Sequence, residues 1–146
     1  MRVVLDVNVL VAALISPSGP PAQLIRLWLG GAFELVHSPH LIEELATALT
    51  YPKLAKRIPA SDAAAYVALI VDHGVGMEDP TASPPLRAAD PRDDYLLALA
   101  SSAGAMIVTG DGALLELADR APIHTPAEFL DMIAGRLMRA PLQPTC

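Results

Sequence analysis

The sequence predicts a three-layer α/β/α sandwich around a central, mainly parallel sheet. Short, continuously apolar runs at Val3–Leu5 and Ala105–Val108 are of the kind shown by strands buried on both faces. Helical patterns alternate with these runs, as a parallel sheet requires. An acidic residue stands just past the end of each run, Asp6 and Asp111, and in such sheets ligands bind beyond the carboxyl ends of the strands.

Size and composition set the frame. The chain has 146 residues, 53% of them hydrophobic, enough for one well-packed domain, expected over 1–138 with a frayed tail at 139–146. Its single cysteine, Cys146, excludes an internal disulfide framework and any zinc site of clustered thiolates, and suits a cytoplasmic location. Asp6 and Asn8 interrupt the apolar amino-terminal run, which is too short to span a bilayer, so no membrane association is expected. A net charge of −6 argues against wrapping nucleic acid by bulk positive charge. It leaves open an enzyme whose carboxylates hold a metal, and it would attract a basic partner.

Arg2–Leu5 reads as the first, buried strand, and residues 8–15 as a short buried helix. Burying an unpaired charge costs several kcal/mol or more, so Asp6 between them meets a cation, sits at an opening or caps the helix. Pro20 and Pro21 suit the first turn of a second helix, which presents Leu24, Leu27 and Trp28 on one face and stops at Gly30 and Gly31. On that stripe Trp28 reads as core rather than as a base-stacking platform. Phe33–Val36 is a short strand. Ser38 caps a third helix that begins at Pro39 and ends before Pro52. Glu43 and Glu44 lie on it, Glu44 at the border of its apolar face and Glu43 turned more squarely to solvent. Lys53, Lys56 and Arg57 form the basic cluster, a surface feature that could also contact phosphates. Ser61 is expected to cap a helix over 62–73 ending at Gly74, with Tyr66, Leu69 and Ile70 inward. Residues 75–77 form a weak strand, and 78–89 a Pro-rich connector.

Asp90 as N-cap, Pro91 at the first helical position and Asp93 at the third make an acidic relative of a capping box. That arithmetic leaves Asp94 free for chemistry and favours it, although the helical wheel places Asp93 nearer the apolar face. Ala105–Val108 is the next strand, and Asp111 either caps the helix of Leu114, Leu115 and Leu117 or joins Asp6 at the rim. Residues 122–124 form a last strand, and Thr125 and Glu128 a capping box for a final helix carrying Phe129, Leu130, Ile133 and Leu137.

If Asp6, Glu44, Asp94 and Asp111 converge, they repel one another unless a divalent cation neutralises them. Oxygen donors without thiolate select Mg²⁺ or Mn²⁺, ions that activate water for in-line attack on a phosphodiester. His37, His40, His73 and His124 show no ligand spacing and read as surface or strand-end residues. No phosphate-binding loop, dinucleotide fingerprint or nucleophile elbow is present.

Val-Leu-Asp-Val-Asn-Val-Leu, Glu44-Leu45 after Ser38-Pro39, Asp-Pro-Arg-Asp-Asp-Tyr-Leu-Leu and Ile-Val-Thr-Gly-Asp together resemble the PIN-domain proteins, and more narrowly the toxin-like branch related to the VapC toxins. The resemblance spans roughly residues 1 to 135. It implies a metal-dependent ribonuclease with Asp6, Glu44, Asp94 and Asp111 as metal ligands and Asn8 and Thr109 supporting the site through hydrogen bonds. It also implies a homodimer and an antitoxin that inserts a segment into the acidic groove. Counting back from Thr109 without gaps lands on Asp93, so the resemblance leaves the third acid between neighbours. A non-catalytic PIN-like module that holds RNA or a protein is the second reading.

Overall fold

The computed structural model describes residues 1–84 and 86–139. Five parallel strands, β1 (Arg2–Leu5), β2 (Glu34–His37), β3 (Val75–Gly76), β4 (Met106–Val108) and β5 (Ile123–His124), form one sheet in the order β3-β2-β1-β4-β5. The chain builds outward from β1 to β3, then returns to lay β4 on the free edge of β1. The strand order therefore reverses between β1 and β4, where a sheet of this class opens a crevice. Val3 pairs with Met106 and Leu5 with Val108, so β1 and β4 end side by side.

Side chains alternate across the sheet, as a period of two demands. Val3, Leu5, Leu35 and Val108 enter one core with Leu24, Trp28, Tyr66, Ile70 and Phe129. Val4, Val36 and Ile107 enter the other with Leu96, Leu99 and Leu114. The first core is covered by α1 (Val7–Ile15), α2 (Pro20–Leu29), α5 (Ala60–His73) and α8 (Pro126–Arg139); the second by α6 (Asp94–Ala103) and α7 (Gly112–Leu115). Both faces of the sheet are thus covered, which gives the three layers, and Trp28 is core, 5% exposed. Helix α3 (Pro39–Ala48) sends Leu45 into the first core and Leu41 into the second, and a single turn, α4 (Pro52–Ala55), follows it.

Several local expectations shift. Ser61 lies inside α5, whose N-cap is Pro59 with no side-chain cap. The helix after Asp111 is one turn, and Leu117 falls in the turns that follow it. The chain opens α6 through a 3₁₀ turn over Pro91–Asp93, capped by Asp90 through its bond from the Arg92 N–H. The closing capping box forms reciprocally: the Glu128 N–H donates to Thr125 Oγ1 and the Thr125 N–H to Glu128 Oε1. The tail from residue 140 lies outside the described residues. Among the described residues no helix is long and apolar enough to cross a membrane.

Candidate active site

Asp6 terminates β1 and N-caps α1, but its carboxylate makes no capping bond to that helix. Instead it turns into the crevice, only 8% exposed, where the Thr109 hydroxyl donates to its Oδ2 at 2.7 Å. Thr109, fully buried just past β4, also accepts the Asp111 N–H at 3.0 Å. One hydroxyl thus ties the first strand's acid to the turn that carries the second. Burial pushes the Asp6 carboxyl above the ordinary carboxylate range; the Thr109 bond pulls it back, and the charges of Asp111 and Glu44 push it up again.

Asp111 does two things at once. Its Oδ1 accepts the Ala113 N–H at 3.0 Å, so it is the helix cap. Its charge also reaches Asp6 and Asp93 and pushes both carboxyls up. Asp93 is pushed up to about 6, first by burial, then by the charges of Asp6 and Asp111.

The neighbouring acid is placed elsewhere. Asp94 Oδ1 accepts the Ala88 N–H at 2.7 Å and Oδ2 the Arg87 guanidinium at 3.1 Å, so it anchors the end of the Pro-rich connector. Asp93, not the Asp94 that capping arithmetic favours, is the residue gathered with Asp6 and Asp111. The 3₁₀ turn is the physical reason. It advances about 120° per residue instead of 100°, so a capping box drawn for a regular helix misplaces the pair, whereas the helical wheel already sets Asp93 nearer the apolar face. Asp90 alone supplies the cap, and Asp93 has no structural task.

Glu44, not Glu43, is the acid of α3 whose charge reaches Asp6. The Tyr95 hydroxyl donates to its Oε2 at 2.7 Å, and His40 Nε2 lies 3.5 Å from its Oε1. His40 and Tyr95 are themselves stacked, ring centroids 3.8 Å apart and planes 5° from parallel. Residue patterns gave no sign of Tyr95 as a partner; its only signal was its place one turn inside the Asp-rich helix start. Glu43 borders a groove of about 640 Å³ beside Glu44, further from the crevice. Asn8 is exposed on the first turn of α1, and among the described residues its side chain bonds to none of the acids.

The set can neutralise a hard cation. Its donors are carboxylate oxygens alone, and their mutual repulsion, seen at Asp93, is the strain a divalent ion relieves. Among the described residues no three such side chains already surround one point at ligand distance. The charges of Asp6 and Asp111 both reach Asp93, so a cation held among the three would offset that repulsion.

Comparison with known proteins closes the description. A family model described as "PIN domain" matches residues 2–113. An uncharacterized protein of Methanocaldococcus jannaschii, MJ1680, is 25% identical over 148 aligned residues, with 90% of each chain covered. The crystal structure of PAE2754 from Pyrobaculum aerophilum superposes with a TM-score of 0.62 at 20% identity, over 92% of this chain and 90% of that one. That likeness speaks to the fold.

Proposed function

Because the chain belongs to the PIN domain family, whose members are generally nucleases, we propose that it is a Mg²⁺- or Mn²⁺-dependent ribonuclease. The observation that carries this reading is the meeting of Asp6, Asp93 and Asp111 at the switch point between β1 and β4, with Glu44 at its border. Asp6, Asp93 and Asp111 would hold the ion, which when bound supplies charge neutralisation and an acidified water for hydrolysis of a phosphodiester.

The chain's own residues do the rest. Thr109 fixes the Asp6 carboxylate, so one donor keeps its direction whether or not the others move. Asp111, bonded to the Ala113 N–H, is likewise held. Glu44, which accepts from Tyr95 and lies beside His40, would orient the attacking water. In the reaction the attacking water gives up a proton as its oxygen bonds to phosphorus, the ester P–O bond breaks, and the leaving oxygen takes up a proton from solvent.

The finer reading is a toxin of the VapC-like branch: a cytoplasmic homodimer inhibited by an antitoxin. An acidic crevice suits a basic residue inserted by such a partner. The test is RNA cleavage by wild type and Asp6→Asn, with and without EDTA. Wild-type cleavage should vanish in EDTA and in the variant; equal cleavage throughout would sink the assignment. A PIN domain that binds RNA or protein without cutting is the second reading, favoured by the low count of basic residues, 10 Lys and Arg against 16 Asp and Glu. Calorimetry with Mn²⁺ separates them, since only the nuclease needs tight uptake that Asp6→Asn abolishes.

A further inference from the structure

The groove beside Glu44 runs along α3 from Pro39 and His40 on one side of that acid to Thr47, Ala48 and Tyr51 on the other, at the junction with α4. At a rise of about 1.5 Å per residue, the stretch of α3 from His40 to Ala48 is roughly 12 Å long, the span of three to four stacked nucleotides, and Tyr51 stands just past its end. Tyr51 is 57% exposed, unusual for a large aromatic with no partner to cover it among the described residues. The His40 side chain, 48% exposed, is stacked on Tyr95, which leaves its outer face for a further ring.

Beyond Tyr51 stand Lys53, Lys56 and Arg57, all exposed. The first two are the only lysines in the chain. Among the described residues, Arg87 and Arg92 are paired with carboxylates, and these three are not. An acidic protein thus carries three cations without a carboxylate partner among the described residues on the short segment that follows the groove's Tyr51.

We infer that this groove seats an unpaired stretch of the RNA beside the cut, with bases against His40 and Tyr51 and the phosphates on Lys53, Lys56 and Arg57. The inference rests on the ribonuclease reading for its substrate and adds the path. Ring faces in a groove select unpaired bases, because a duplex keeps its bases stacked on each other. Glu43 and Asp79 also line the groove and repel phosphate, which keeps the backbone on the α4 side and leaves the uncharged bases to the rings.

The experiment measures binding of a short fluorescent single-stranded RNA in Mg²⁺, in an Asp6→Asn background so that cleavage does not intrude. Adding Tyr51→Ala should weaken binding at least about fivefold, and Tyr51→Trp should preserve it. Adding Lys53→Gln, Lys56→Gln and Arg57→Gln together should make the log-log salt dependence shallower by about 2, the loss of three phosphate contacts. All four positions are exposed, so melting temperatures should not change. Binding within twofold of the parent with an unchanged salt slope would overturn the path, as would equal affinity for a duplex of the same sequence or no RNA binding at all. Wild-type cleavage that survives EDTA would refute the metal-dependent nuclease while leaving the groove standing; intact groove variants with EDTA-sensitive cleavage would do the reverse.

Discussion

Asp93 and Asp94 are adjacent, chemically identical and assigned to different work. Asp94 makes two bonds to the connector, so Asp94→Ala should cost about 1–3 kcal/mol of stability, mostly from the orphaned Ala88 N–H; the Arg87 pair adds little because Arg87 is two-thirds exposed. Its RNA cleavage should stay within about tenfold of wild type, whereas Asp93→Asn should lose about a hundredfold or more. Parallel melting and cleavage assays on the two variants read this out, and the opposite ranking would return the role to Asp94. A second consequence concerns pH. The Asp93 pKa is about 6 in the folded chain against an ordinary value of 3.8, so folding is favoured by protonation. Its contribution is fully present below about pH 3.8 and is lost as pH rises through about 6. His37, whose burial pushes its imidazole down, acts with the opposite sign. The clean measurement is therefore a difference. The stability of wild type relative to Asp93→Asn should fall between pH 5 and 7.5, by about 1 kcal/mol once screening of this partly exposed group is allowed for. A pH-independent difference would remove the acid cluster as its cause.

At the scale of elements, the junction after α5 is the tightest. Gly74 has an ordinary φ, but a Cβ there would stand 2.6 Å from the Ile70 carbonyl oxygen and 2.7 Å from His37 Cδ2. Neither can retreat, since one belongs to the helix backbone and the other to a buried strand end. Gly74→Ala should destabilise by about 1–3 kcal/mol in chemical denaturation, and an unchanged midpoint would mean that β3 simply shifts. What could be read from residues follows the same logic of local against distant causes. The apolar runs of β1 and β4 announce themselves, because a strand covered on both faces has little room for anything else. So do Asp6 and Asp111, placed by the ends of those runs. Helix α4 escaped, being one turn whose tertiary setting outweighs propensity. The choice between Asp93 and Asp94 stayed open because capping arithmetic and the helical wheel disagree there, and the change of helical phase within three residues is not legible from the residues. The Tyr95 bond to Glu44 spans 51 positions, and no local pattern encodes it.

For the molecule as a whole, a cation that binds the folded acids and not the unfolded chain should raise the melting temperature. At a hundredfold excess over its dissociation constant Mg²⁺ or Mn²⁺ would add about 2.7 kcal/mol, roughly 10 °C for a domain of this size. The gain should shrink at pH 5, where protons compete for Asp93. Melting curves that ignore both metals at pH 7.5 would count against the metal-dependent reading. The order of the strands carries one more consequence, in time rather than in space. Asp6 emerges early in synthesis, while Asp93 and Asp111 arrive only as β4 is delivered to the open edge of β1. At 5–20 residues per second, a ribosome takes about 5 to 20 s to cover that interval. Until its end the nascent chain carries Asp6, then Glu44 and Asp93, without the turn after β4 that brings Asp111 to them. On the nuclease reading proposed above, the centre therefore stays incomplete while most of the chain is still being made on an RNA template.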